Sequence, residues 1–175
     1  FGKIKNSQAK VLIALGYKFK TTCDTEVLLA AYQEYGELLL QKLDGMFAFA
    51  IWDKQKKELF CARDRFGEKP FYYFHDKNQF IFGSEMKAIF SLGIPKTTDS
   101  QMLYLYLAYD VVENPTNKTQ TFYKDIYQLP ASHSLKVLQN GELQIKKYWE
   151  LSVKSTFTGS FENATQRFKF LFDEF

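Results

Sequence analysis

The stretch from residue 45 to residue 82 constrains this chain most. Four apolar runs follow one another there, separated only by short polar breaks. Gly45-Met-Phe-Ala-Phe-Ala-Ile-Trp52 is almost continuously apolar, as expected of a strand buried on both faces. Residues 53–56 are a polar turn and residues 58–62 return as a second strand. Residues 71–74 and 79–82 make a further pair around a turn at 75–78. Runs this short and this closely spaced predict a four-stranded antiparallel meander. The 18 Phe and 11 Tyr of the chain point the same way, because aromatic side chains fit a half-buried pleated surface.

Helical patterns flank this block. Asn6 or Ser7 can cap a helix over residues 8–15, which Gly16 would end. Residues 17–21 alternate as a short strand. Cys23-Asp-Thr-Glu26 opens a helix carrying Val27, Leu28, Ala31, Tyr32 and Tyr35 at helical spacing, and Gly36 closes it. Residues 37–43 read as another helical segment. Beyond the meander, helices are predicted over 84–91 and 99–108, the second with a leucine and aromatic stripe expected to be core. Residues 112–121 are a loop, and residues 135–138 and 143–148 pair across the strong turn signal Gln139-Asn-Gly-Glu142. Residues 151–160 read as a polar linker and 161–175 as the first turns of a second, helical domain, after a first domain over 1–150.

Charge excludes some functions. With 23 basic and 20 acidic residues the net charge is only +3, and no basic stripe marks a nucleic-acid surface. No apolar run approaches the roughly 18 residues of a membrane span, and the start has no signal-peptide core. The two cysteines, Cys23 and Cys61, form neither a disulfide framework nor a metal-ligand cluster. These features favour a reducing cytoplasm.

The candidate chemistry is sparse. Cys23 stands at a helix N-terminus, where the dipole favours a thiolate, yet neither His75 nor His133 lies near it in sequence to act as a base. Cys61, inside an apolar strand, reads as packing. Asp24 in the first helical turn offsets the dipole, and Glu26 occupies the N3 place of a capping box. Arg63-Asp-Arg-Phe-Gly-Glu-Lys-Pro70 places five charges in one turn. Gly67 stands alone there and a strand follows, which argues against a phosphate loop. The charges fit a structural turn whose arginine forks staple carboxylates or carbonyls of nearby loops.

Several segments together resemble a known family. They are Leu43-Asp-Gly-Met-Phe-Ala-Phe-Ala-Ile-Trp-Asp53, Ala62-Arg-Asp-Arg-Phe-Gly-Glu-Lys-Pro70, Gly83-Ser-Glu-Met-Lys-Ala88, Cys23-Asp-Thr-Glu-Val27, Tyr127-Gln-Leu-Pro130 and Lys147-Tyr-Trp149. Taken along the chain they are similar to the glutaminase domain of glutamine-hydrolysing asparagine synthetases, class II amidotransferases. The resemblance implies an α+β fold, an incomplete four-layer αββα N-terminal-nucleophile sandwich. It implies glutamine hydrolysis to ammonia, coupled in a longer parent to ATP- and magnesium-dependent amidation of aspartate. The family's nucleophile is an N-terminal cysteine upstream of this chain, so no catalytic residue and no cofactor are expected within it. Asp24 matches the carboxylate that holds the glutamine α-ammonium, and Gly2 matches a glutamine-binding glycine. Ile4 and Asn6 match the same segment, whereas Phe1 and Lys3 replace its Asn and Glu. Those two changes leave an alternative, a degenerate amidotransferase-like domain that binds a small molecule or partner without catalysis. Glutamine and aspartate are the expected small-molecule partners, no nucleic acid or membrane is expected, and a homodimer is left open.

Overall fold

The computed structural model describes residues 6–152 and 157–173. Helix α1 spans Asn6–Ala14 and α2 Asp24–Tyr35, followed by a 3-10 helix over Gly36–Gln41. Among the described residues seven strands follow: β1 Ala48–Asp53, β2 Glu58–Arg63, β3 Tyr72–His75, β4 Phe80–Gly83, β5 Ile126–Gln128, β6 His133–Val137 and β7 Leu143–Lys147. Helices α3 (Met86–Phe90) and α4 (Ser100–Tyr109) lie between β4 and β5, and α5 covers Phe161–Asp173.

The strands do not form one meander. One sheet has the order β1-β2-β6-β7 and the other β4-β3-β5, with every pair antiparallel. The chain changes sheet between β2 and β3, through the charged turn. Side-chain alternation then builds the layers. Phe60 and Ala62 of β2 face a core with Leu12, Ala30, Ala31, Leu39 and Leu40 from the first three helices. Cys61 of β2 and Leu135 of β6 face the other way, onto Tyr73 of β3, Phe71 and Leu129. Tyr72 and Phe74 point from the far side of β3 toward Ile89 of α3 and Ile126. The sequence of layers is helices, sheet, sheet, helix, as expected of an αββα sandwich.

The aromatic richness has a place in this stack. Between the sheets Phe71 stacks on Phe82 with centroids 5.6 Å apart, Tyr73 lies 5.8 Å from Phe80, and Tyr127 lies 5.5 Å from Tyr73. Ring pairs at these separations contribute beyond their buried area through their geometry.

Other expectations give way to tertiary structure. Residues 17–21 form no strand, because the amides of Lys20 and Thr21 donate to the Glu26 carboxylate, both at 2.9 Å, rather than to a neighbouring strand. β1 is not buried on both faces: Trp52 is 56% exposed, and among the described residues β1 pairs with β2 alone. The stripe on α4 is not core. Met102 is its buried residue, while Tyr104 and Leu107 are exposed. Helix α5 is amphipathic in sequence and has no buried residue.

Candidate functional site

The N-terminus of α2 forms locally. Cys23 takes an extended backbone conformation, its carbonyl accepts from the Glu26 N–H at 3.1 Å, and Asp24 begins the helix. Glu26 reaches further back than a capping box requires. Its carboxylate takes the N–H groups of Lys20 and Thr21 and the Thr21 hydroxyl, the last at 2.7 Å, and Thr21 Oγ1 accepts from the Cys23 N–H at 3.2 Å. These bonds hold the Glu26 carboxyl below its ordinary range, led by the Lys20 amide. Glu26 is thus committed to the segment before α2. Asp24, half-buried in the first turn, makes no side-chain hydrogen bond or ion pair among the described residues.

Asp24 opens onto a cleft of about 130 Å³. Thr25, Leu28 and Leu29 continue its α2 side, and Leu43, Asp44, Met46 and Phe47 lead into β1 on the other. The volume is well below the roughly 300–1,000 Å³ that holds a drug-sized ligand, so it suits a small molecule or part of one. The lining is mainly apolar, with carboxylates at Asp24 and Asp44.

The charged turn backs the second wall of this cleft. Asp64 is 2% exposed, and its carboxylate accepts four backbone N–H groups: Phe66 and Glu68 on Oδ1, Lys69 and Phe47 on Oδ2, at 3.0–3.3 Å. Arg63 does the converse with carbonyls. Its Nε donates to Lys69 O, Nη1 to Leu129 O and Nη2 to Gly67 O, each at 2.7 Å. One side chain therefore gathers the turn's amides and its neighbour gathers the turn's carbonyls, including one that leads out of β5. Gly67 has φ +71°, and a Cβ there would sit 3.2 Å from both Ala131 Cβ and Arg63 Cζ. The structural reading of the charges holds, with one correction: the turn joins two sheets rather than two strands of one.

Residues 2–149 match the glutamine amidotransferase domain family. The chain belongs to that family. It is 35% identical, over 99% of its length, to asparagine synthetase [glutamine-hydrolyzing] 3 of Bacillus subtilis (strain 168). It is 38% identical, over 75% of its length, to putative asparagine synthetase [glutamine-hydrolyzing] 2 of Methanocaldococcus jannaschii. The chain spans 28% and 26% of the lengths of these two relatives. Among solved structures, the glutamine phosphoribosylpyrophosphate amidotransferase from B. subtilis superposes with a TM-score of 0.57 at 17% identity. That superposition covers 83% of this chain and 27% of the other. At that identity the likeness establishes the fold, an α+β amidotransferase sandwich.

Within this glutamine amidotransferase domain the sequence-derived residues separate. Asp24 lies on the cleft wall. Gly2, with Phe1 and Lys3, lies outside the described residues. Cys23 is exposed, and neither imidazole is bonded to it: His75 Nε2 meets Gly141 O at 3.0 Å, and His133 Nδ1 meets Ala131 O at 2.7 Å. The Thr25 hydroxyl and the first amides of α2 draw the Cys23 thiol below its ordinary range, although no formed cap bond joins it to the helix. Cys61 is buried and its thiol is pushed up by desolvation, as befits packing. Sequence reading did not single out Asp44 or Arg65 for the site. Both stand inside the family motifs, but only the fold places Arg65 against the cleft wall. No helix among the described residues is long and apolar enough to cross a membrane, and none of them form a cluster of three or more His, Cys, Asp or Glu able to hold a metal.

Proposed function

We propose that this chain supplies the glutamine-binding part of an asparagine synthetase. In that reading glutamine and water give glutamate and ammonia at the cleft beside α2. In the complete protein aspartate and ATP, with magnesium, would give an aspartyl adenylate and pyrophosphate, and the ammonia would attack the acyl carbon of that adenylate, releasing AMP and giving asparagine. Asp24 holds the glutamine α-ammonium and Gly2 approaches the same substrate. The attacking thiol belongs to an N-terminal cysteine outside residues 1–175, whose own amine can serve as its base. ATP and magnesium belong to a synthetase domain that α5 introduces. A cytoplasmic location and a homodimer fit such an enzyme.

One observation carries the reading: a half-buried carboxylate with no protein partner among the described residues, on the wall of a small apolar cleft. A charge withdrawn from water is normally paired, and a ligand ammonium would pair it. The carboxylate also masks the positive end of α2, which would otherwise repel a cation. The names of the relatives, glutamine-hydrolyzing asparagine synthetases, supply the substrate.

Asparagine formation by the complete protein tests this. Asp24→Ala is expected to lower kcat/KM for glutamine by about 30-fold or more, the effect of removing one partner of a desolvated charge pair. Asparagine formation from free ammonia should persist. An unchanged kcat/KM for glutamine would reject the role of Asp24, and failure with both nitrogen sources in the wild type would reject the enzyme.

A further inference from the structure

The wall of the cleft facing α2 starts as a loop and continues into β1. Residues 43–47 belong to no helix or strand, and Gly45 has φ +115°. Neither Gly45 nor Met46 makes a backbone hydrogen bond to another described residue. A segment of this kind does not fix its own position; bonds from elsewhere must. Several of those bonds come from the charged turn. Asp64 holds Phe47 at the far end, its N–H donating to Phe47 O at 2.8 Å and its carboxylate accepting from the Phe47 N–H at 3.3 Å. At the near end Leu43 is buried in the helical core and its N–H donates to Leu39 O at 3.1 Å; Arg65 adds contacts to the Leu43 carbonyl and to Asp44.

Arg65 Nη2 donates to Leu43 O at 3.2 Å, and Nη1 stands 3.8 Å from Asp44 Oδ1. The guanidinium lies 5.5 Å from the Trp149 ring centroid, and the same ring meets Phe66 edge-on at 5.5 Å. Trp149 therefore fixes the plane of the fork while the fork ties the Leu43 carbonyl to Asp44, the first residue beyond the core-anchored Leu43, and both residues line the cleft. Nε is buried without an acceptor among the described residues. Leaving a guanidinium donor dry costs free energy, so the placement of Arg65 is dictated by its other contacts. A lysine could reach one of the two acceptors but could not stack in a fixed plane and fork to both.

We infer that Arg65 is a positioning residue for the glutamine cleft, setting the Leu43–Asp44 wall at the distance from Asp24 that a bound glutamine needs. The inference rests on the glutamine reading above. Arg65 is given no contact with substrate. It acts through the wall, so its loss should weaken binding without changing the chemistry of bound glutamine.

The test is glutamine hydrolysis by the complete protein, with KM and kcat read separately. Arg65→Gln is expected to raise KM for glutamine about 10-fold while kcat stays within about 2-fold, and Arg65→Lys should fall between. Asp44→Asn combined with Arg65→Gln should raise KM less than the product of the two single effects, because both act on one contact. If Arg65→Gln does not fold by circular dichroism, Arg65→Lys, which keeps the stem and charge, is read by the same split. An unmoved KM, or kcat falling in step with a loss of folded protein, overturns the inference. If Asp24→Ala raises KM and Arg65→Gln does not, the positioning role fails and the glutamine reading stands. A wild-type protein that does not turn over glutamine removes both.

Discussion

Asp64 and Phe47 are bonded twice, N–H to carbonyl at 2.8 Å and amide to carboxylate at 3.3 Å. The first bond continues the β1–β2 register past its end, where Ala48 pairs with Arg63. The second turns a ladder position into an anchor, since the same carboxylate also ties Phe66, Glu68 and Lys69. Asp64 thus locks the end of one sheet to the start of the crossover into the other.

Asp64→Asn should therefore be costly despite its small change in shape. The amide nitrogen would face N–H groups that now have an acceptor, leaving at least one buried donor unsatisfied. The expected loss is about 3 kcal/mol, or about 6–12 °C in Tm for a chain of this size. Thermal unfolding followed by circular dichroism measures it, and a loss under 1 °C would show that the turn does not depend on this carboxylate.

Gly67→Ala acts on the same turn by a different route. The left-handed φ of +71° costs an L-residue about 1–2 kcal/mol. The added Cβ also meets Ala131 and the Arg63 guanidinium at 3.2 Å. Denaturant titration should show a lower midpoint with an unchanged slope. Stabilisation by the substitution would mean that the glycine is not needed for this backbone.

What the sequence revealed follows from the range of the forces involved. The start of α2 was legible because its first turn is a local matter of Cys23, Asp24 and Glu26. The β6–β7 hairpin was legible because its turn lies between the paired runs. The family resemblance implied two sheets, but the strand pattern did not show which strands join which, because Arg63 and Asp64 decide it through Leu129 O, Phe47 and the Ser132 N–H, which bonds Asp64 O at 2.8 Å. The stripe on α4 shows another limit. Helical spacing says which residues share a face, but not whether anything covers it. Asp24 stood out through its family motif and lies on the cleft wall, whereas the contact of Arg65 with that wall was hidden because its partner Leu43 is 22 positions away.

Alkaline pH should unfold the domain through tyrosines. Burial raises Tyr73 to about 12, with Tyr127 adding to it, and raises Tyr32 to about 12, helped by the Asp53 carboxylate its hydroxyl meets at 3.3 Å. Burial also raises Tyr148, whose hydroxyl donates to Arg63 O at 2.8 Å. A folded-state pKa above the unfolded value of about 10 means that folding favours the neutral phenol. That contribution is complete below about pH 10 and is lost as pH rises toward 12. Phenolate absorbance should rise in two stages, exposed tyrosines first and the buried ones together with loss of ellipticity. A single stage with ellipticity intact beyond pH 12 would contradict the burial of these hydroxyls.

The two cysteines should differ in reactivity for reasons that the fold supplies. Cys23 is exposed, and the Thr25 hydroxyl and α2 amides lower its pKa, so a larger share is thiolate near pH 7.5. Cys61 is 0% exposed in the layer between the sheets, and burial raises its pKa. Reaction with a chromogenic disulfide should therefore consume one thiol in the native protein and a second after denaturation. Thr25→Val removes the hydroxyl that contributes most to the Cys23 thiolate and should slow the native phase without changing its amplitude. Two thiols reacting at once in the native state would mean that the sheets do not seal Cys61. An unchanged rate in Thr25→Val would mean that the helix amides alone activate Cys23.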